Sequence, residues 1–332
     1  MDDNLKKVLE KMHYSIVGEN SGVQVCLWTK KSLQGKGGCW KEKFYGVSSA
    51  SCCQFSPCVM NCENQCLHCW RPIELNRGIE LGEMGDVKKL LDKIIEKRKS
   101  LLMGLKGNAE VDKKDFEEAL VPKLFTFSLS GEPTLYLKLP EMVKEIRGRG
   151  AVSFIVTNGQ NPDMIKKLER KEALPTQLTL STNAPNEKLF KIWHRSLRKD
   201  SWERFNKTME IIKNLKGKCR RVIRLTLVKK GTEDSKYKNL TNMSDENVSE
   251  YVSVIKEAQP DFVHVKGFKS VGYARERFGY DKMPWFSEVQ DYANKILKEL
   301  KKFDENWKVL GEDEYPAVVL LGKNKKMMKI KA

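Results

Sequence analysis

Cys62, Cys66 and Cys69 stand in the spacing C-x3-C-x2-C. Thiolates are soft ligands suited to iron, and a four-iron cluster ordinarily takes four of them. A set of three holds three irons and leaves the fourth open to a substrate or cofactor. Two other readings compete. A structural zinc site wants two pairs of ligands at short spacing, and the chain has 4 histidines in all to complete one. A disulfide framework does not suit 9 cysteines spread over 332 residues. The N-terminus Met1-Asp2-Asp3-Asn4-Leu5 also lacks a signal-peptide pattern.

The run Cys66-Leu67-His68-Cys69-Trp70-Arg71 narrows the choice. The cysteine spacing resembles the radical S-adenosylmethionine superfamily, and Trp-Arg after the last cysteine is similar to one branch of it, the tRNA 4-demethylwyosine synthases. The resemblance extends from about Val23 to Leu321. It is carried by two cysteine sets, by Gly131-Glu132-Pro133 and by Arg224-Leu225-Thr226-Leu227-Val228. It implies one [4Fe-4S] cluster on Cys62, Cys66 and Cys69 that binds S-adenosyl-L-methionine, with Gly131, Glu132 and Pro133 holding the methionine amino group.

Other polar positions fall where predicted strands end. Gly131 permits close backbone approach and Glu132 supplies a carboxylate, although an ordinary strand-to-helix turn has the same composition. Asn158, Ser181 and Asn183 can serve a ribose or carboxylate, or be turn and cap residues. Arg224 and Lys266 are charges inside apolar strands, which is costly unless they are paired or face a ligand cavity. Similar positions occur in the resembling branch, which assigns both to cofactor or substrate. His264 reads as a packed histidine and His68 as part of the cluster loop.

Cys26, Cys39 and Cys52 are evenly spaced as C-x12-C-x12-C. Taken alone they read as buried thiols, common inside cells. The resemblance instead implies a second [4Fe-4S] cluster. Cys53 competes with its neighbour, and the even spacing favours Cys52; Cys58 and Cys219 are left over. Lys41 lies within this stretch, between Cys39-Trp40 and Phe44-Tyr45-Gly46. Lysine amines form Schiff bases with carbonyl substrates. In the resembling family the second substrate is pyruvate, which meets either this lysine or the open iron of the second cluster.

The implied reaction is a radical lyase reaction. A 5′-deoxyadenosyl radical takes hydrogen from the N-methyl of N1-methylguanosine, 3′ of the anticodon in tRNA-Phe. The carbon radical then joins two carbons of pyruvate to form 4-demethylwyosine. Eukaryotic relatives carry a flavodoxin-like region for which this chain has no room, so a separate flavodoxin- or ferredoxin-like donor is expected. The competing functions are another radical enzyme with an auxiliary cluster acting on tRNA or a peptide, and a zinc-bound RNA module.

These residues need a scaffold. Leu5, Val8, Leu9 and Met12 predict an amphipathic helix, and Val23, Val25 and Leu27 a short strand. The stretch from Cys26 to Cys69 has little periodicity and is expected to need metal to order it. Beyond it, strands at 123–130, 152–156, 177–181, 221–228 and 261–265 alternate with helical segments, the last near 286–300. A sixth strand is expected around 53–60. Strand-helix alternation argues a parallel sheet with right-handed crossovers. The fold class is therefore α/β, a partial (βα)6 TIM-like barrel with chemistry at the carboxyl ends of its strands. The expected division is 1–60 as an N-terminal extension with the second-cluster cysteines, 61–270 as the barrel, and 271–332 as a C-terminal extension of helix, strand and basic tail.

Lys and Arg number 61 against 44 acidic residues, a net charge of +17 that favours a polyanionic partner. Candidate phosphate contacts are Arg195, Arg198 and Lys199, then Lys216, Lys218, Arg220 and Arg221, then the tail from Lys323 to Lys331, with Trp193 and Trp202 near for stacking. No apolar run approaches the roughly 18 residues that would span a bilayer. A cytoplasmic monomer without membrane attachment is expected.

Overall fold

The computed structural model describes residues 1–235 and 237–330; Lys331 lies outside the described residues. Helix α1 (Asp3–Lys11) and strands β1 (Ser15–Val17) and β2 (Ser21–Gln24) open the chain. Two short helices follow, α2 (Leu27–Leu33) and α3 (Trp40–Tyr45), before β3 (Cys52–Ser56). The order then runs α4 (Val87–Met103), α5 (Lys113–Ala119), β4 (Leu124–Phe127), α6 (Leu139–Gly148), β5 (Val152–Thr157), α7 (Pro162–Arg170) and β6 (Gln177–Ser181). It continues with α8 (Glu187–His194), α9 (Ser201–Asn214), β7 (Arg220–Leu227), α10 (Glu246–Ala258) and β8 (Phe262–Gly267). Helices α11 (Tyr273–Phe278) and α12 (Phe286–Lys301) and strands β9 (Lys308–Asp313) and β10 (Val318–Gly322) end it.

All ten strands form one sheet in the order β1-β2-β3-β4-β5-β6-β7-β8-β10-β9. Strands β3 to β8 pair in parallel throughout, which are the six strands of the expected barrel. The antiparallel pair β1-β2 extends the β3 edge and β10-β9 extends the β8 edge, so the sheet is a partial barrel that does not close. The sixth strand, faint in the sequence, is β3.

Alternation sorts each strand between two environments. Cys53, Phe55, Phe125, Phe127, Leu178, Leu180, Ile223, Leu225, Val263 and Val265 join the main core against the crossover helices. The opposite, concave face changes character along its length. Near the N-terminal ends, Leu124, Phe154, Val222 and Phe262 pack with Phe44 and Tyr45 of α3. Toward the C-terminal ends the same parity presents Thr126, Thr179, Ser181, Arg224, Thr226, His264 and Lys266. The apolar half is a floor, and the polar half surrounds a site.

Two expectations change. The short strand stops at Gln24, and Leu27 begins α2 instead of ending a strand. The cysteine-rich stretch holds two helices, α2 and α3, too short to give a periodic signal. The basic tail docks under the barrel: the Ile330 amide donates to the Tyr45 carbonyl at 2.9 Å, and Met328 joins the floor cluster.

Candidate active site at the barrel mouth

Cys62, Cys66 and Cys69 lie on the loop that leaves β3, and the loop is fastened by its backbone. The amides of Gln65 and Leu67 donate to the carbonyls of His194 and Trp193 at the end of α8, at 2.9 and 3.0 Å. Arg277 of α11 donates to the carbonyls of Leu67 at 3.1 Å and Arg71 at 3.2 Å, and also to that of Cys69. Trp193 Nε1 donates to His68 Nδ1 at 2.7 Å. Burial pulls His68 down to about 3 and His194 to about 4, so both rings are neutral supports. Burial pushes all three thiols up, and the neighbouring sulfurs add to this at Cys62 and Cys66.

The Gly-Glu-Pro turn sits against this loop. Gly131 has φ +72°, and an added Cβ would overlap the Cys58 carbonyl oxygen and come within 2.7 Å of that of Asn61. Glu132 is 2% exposed, and its carboxylate ties strands together. One oxygen accepts from the Thr134 amide at 3.1 Å, Thr134 Oγ1 at 2.6 Å and Thr157 Oγ1 at 2.7 Å; the other accepts from the Asn158 amide at 2.7 Å. Burial and the charge of Glu63 raise Glu132 to about 7, against those hydrogen bonds. Asn158 Nδ2 reaches Cys62 Sγ at 3.6 Å and Glu63 Oε2 at 3.2 Å. Asn161 Nδ2 donates to the other Glu63 oxygen and, at 3.1 Å, to Thr134 Oγ1. Among these residues the sequence missed Glu63, Asn161, His194 and Arg277. A carboxylate between two cluster cysteines was the one available signal, since the partners of Glu63 are about a hundred residues away in the chain.

The second trio meets Lys41. Cys26 and Cys39 are the residues from which α2 and α3 start, and Cys52 opens β3. All three line one small cavity together with Trp28 and Lys41. Cys53 points to the other face of β3, fully buried in the helix-side core. Among the described residues the Lys41 ammonium has no hydrogen-bond or ion-pair partner. Burial lowers its ammonium, but the sulfurs of Cys52, Cys39 and Cys26, taken as thiolates, outweigh that and hold it above the ordinary lysine value. Burial pushes the Cys39 thiol up to about 11.

Two further cations face the same space. Arg224 donates from Nη2 to Ser181 Oγ at 3.0 Å, while its buried Nε has no partner among the described residues. Burial lowers it to about 10. Lys266 donates to the Pro316 carbonyl at 3.0 Å. Burial, then the charges of Lys269 and Arg224, pull it down to about 7, with Cys39 and Asp313 opposing. Asn183 sets its amide nitrogen 3.5 Å from His194 Nε2 and leaves a buried Oδ1 unpartnered. His264 is buried against Tyr45 and Trp40, as a packed histidine should be.

The candidate RNA contacts separate. Arg198 lies 4.0 Å from Glu63, and the Leu197 amide donates to the Glu63 carbonyl at 2.7 Å, so the 195–199 segment borders the cluster loop. Arg221 is unavailable to phosphate because it is 2% exposed and forks onto Asp261 at 2.8 Å. Arg220, at the start of β7, stacks 4.6 Å from Tyr45 under the barrel. Trp193 is fully buried and cannot stack on a base.

The donor sets fit iron. No cysteine is in a disulfide. Two trios of soft sulfur ligands, one on the loop leaving β3 and one on α2, α3 and the start of β3, suit four-iron clusters with an open position. Among the described residues no three His, Cys, Asp or Glu side chains converge closely enough for a single ion.

Comparison with known proteins agrees with this geometry. The radical SAM superfamily pattern matches residues 57–243, more than half of the chain, which makes the protein a radical SAM protein by sequence as well as by fold. A pattern for wyosine base formation matches residues 257–323. S-adenosyl-L-methionine-dependent tRNA 4-demethylwyosine synthase of Pyrococcus abyssi is 38% identical over 323 residues, 97% of this chain and 89% of the relative. The synthase of the same name from Methanocaldococcus jannaschii is 32% identical, covering 96% of both chains. That of Oryza sativa is 32% identical, and this chain spans 46% of its length. The chain belongs to the tRNA 4-demethylwyosine synthase family. A solved structure of TYW1 with a lysine-pyruvate adduct bound superposes with TM-score 0.81 at 29% identity, covering 99% of this chain and 98% of that one. One of archaeal TYW1 superposes with TM-score 0.74 at 28% identity, over the same shares.

Proposed function

We propose that this protein converts N1-methylguanosine, 3′ of the anticodon in tRNA-Phe, to 4-demethylwyosine using two carbons of pyruvate. The observation that carries the reading is the convergence of Lys41 with Cys26, Cys39 and Cys52 on one cavity. Cys62, Cys66 and Cys69 would hold one [4Fe-4S] cluster, and Cys26, Cys39 and Cys52 a second. When bound, the first cluster and S-adenosyl-L-methionine supply the one-electron chemistry that removes hydrogen from an N-methyl group.

The chain's own residues do the rest. Gly131, Glu132 and Pro133 shape the turn that receives the methionine end of S-adenosyl-L-methionine, with Glu132 acting through the fixed positions of Thr134, Thr157 and Asn158. Asn158, beside Cys62, and Ser181 and Asn183, at the end of β6, orient its ribose and carboxylate. Lys41 forms a Schiff base with pyruvate, its ammonium first giving up a proton so that the amine adds to the keto carbon and water leaves. The adduct reported for the TYW1 relative supports that role. Arg224, with its unpartnered Nε, and Lys266 face the same space and attract the carboxylate.

The RNA enters from the rim bordered by Arg195, Arg198 and Lys199. Electrons come from a separate flavodoxin- or ferredoxin-like protein. Among the described residues no helix is long and apolar enough to cross a membrane; we place the enzyme in the cytoplasm as a monomer. The test is incubation of the reconstituted, reduced protein with methylated tRNA, S-adenosyl-L-methionine and pyruvate labelled with ¹³C at carbons 2 and 3. A tricyclic nucleoside carrying both labels is expected, and N1-methylguanosine left intact overturns the reading.

A further inference from the structure

Apart from the cysteine sites, a cleft of about 520 Å³ lies between the end of β8, the start of α12 and the β9-β10 turn. Its walls include Lys269, Trp285, Tyr315, Asp313 and Glu314. It opens at the active end of the barrel. β10 runs antiparallel to β8 and begins opposite Lys266, so the turn that precedes it stands at the carboxyl end of β8. Lys266, which faces the barrel interior, donates to Pro316 of that turn at 3.0 Å.

The cleft shares a wall with the Lys41 cavity. Trp28 lines that cavity, and its ring meets Tyr315 edge-on at a centroid distance of 5.3 Å. Lys31 sits 4.1 Å from the Tyr315 ring centroid. Trp285 and Tyr315 are 66% and 61% exposed, two large rings left in water. The Trp285 backbone is fixed all the same: Glu288 accepts from the Trp285 amide at 2.7 Å and is itself held by Lys229 at 2.9 Å. Between them Asp313 gives one oxygen to Lys43 at 2.6 Å, while its other oxygen is buried with no partner among the described residues.

Two exposed rings, a cation and a vacant carboxylate oxygen form a receptor for a flat heterocycle that carries amino hydrogens. We propose that this cleft captures an unstacked, amino-bearing nucleobase of the RNA substrate, a neighbour of the guanosine that reacts. The proposal rests on the function given above. Bases in a loop stack on one another, so presenting one methylated base to a buried site requires its neighbour to be held elsewhere. Trp285 supplies the platform, Lys269 attracts the adjoining phosphate, and Asp313 accepts from the amino edge.

The test uses the reconstituted holoenzyme and substrate tRNA with 2-aminopurine at either nucleotide flanking N1-methylguanosine. Stacking on the cleft quenches the probe at one of the two positions. Trp285→Ala is expected to weaken tRNA binding by about tenfold to a hundredfold, the range of one base–aromatic stack, and to abolish the quench. Trp285→Phe restores most of both, which loss of folding would not, and iron content checks that each variant is assembled. Unchanged affinity in Trp285→Ala overturns the proposal while leaving the reaction intact. Weaker binding with the quench preserved also overturns it, since the probe is then stacked elsewhere. A wild-type protein that neither binds nor converts the tRNA overturns the proposal and the function together.

Discussion

Replacing Cys52 and Cys53 separately by serine asks whether strand parity determines who binds metal. The two residues are adjacent, but they occupy opposite faces of β3. Cys52 belongs to the Lys41 cavity and Cys53 to the helix-side core. Two four-iron clusters correspond to about eight irons per chain, so Cys52→Ser should hold about four after anaerobic reconstitution, and Cys53→Ser about eight. Stability should move the other way. A serine hydroxyl at position 52 finds Thr126 Oγ1, now 3.7 Å from the sulfur, and costs little in the metal-free protein. At position 53 the hydroxyl is buried at 0% exposure among apolar side chains and costs about 1–3 kcal/mol. Iron and sulfide counting gives the first result and the guanidinium midpoint the second. The reverse pattern, four irons in Cys53→Ser and eight in Cys52→Ser, would refute the parity argument. Eight irons in both would show that neither Cys52 nor Cys53 is needed to hold the second cluster.

Gly131→Ala places a Cβ into the Cys58 carbonyl at a left-handed φ of +72°. The conformation alone costs about 1–2 kcal/mol, and the overlap adds to it; equilibrium dialysis should show S-adenosyl-L-methionine binding lost before the chain unfolds. Lys41→Arg retains the charge but cannot form an imine. Borohydride treatment with pyruvate should label wild type at residue 41 by peptide mass spectrometry and leave the variant unlabelled. Lys266, pulled to about 7, is an ammonium below that pH and a neutral amine above it. The groups that set this value are Lys269, Arg224, Cys39 and Asp313, with Arg224 staying charged throughout. Attraction for the pyruvate carboxylate should therefore weaken as pH rises through about 7, raising the KM for pyruvate about tenfold, or ~1.4 kcal/mol. Lys266→Met should flatten that profile.

Strand-helix alternation was legible because buried parallel strands read as apolar runs, and each crossover helix buries a long stripe. Helices α2, α3 and α8 escaped because six to eight residues give barely two turns of periodicity. That Cys52 and Cys53 face opposite sides of β3 was contained in the sequence, in the alternation Cys52-Gln54-Ser56 against Cys53-Phe55, once a polar interior and an apolar exterior are assigned. The closeness of Cys62, Cys66 and Cys69 was legible since they lie within one loop. The knot around Glu132 was not, because Thr157 and Asn158 arrive from the next strand. Arg221 shows the limit of charge reading. A guanidinium in a basic run became a buried ion pair with Asp261, 40 positions away, which no local pattern reveals.

The central claim is that three thiolates at the mouth leave one iron open to S-adenosyl-L-methionine. Electron paramagnetic resonance of the reduced Cys26→Ser/Cys39→Ser/Cys52→Ser protein, which retains only that cluster, tests it most directly. The account predicts that the signal of the cluster shifts when S-adenosyl-L-methionine is added. A spectrum that the cofactor leaves unchanged would contradict it.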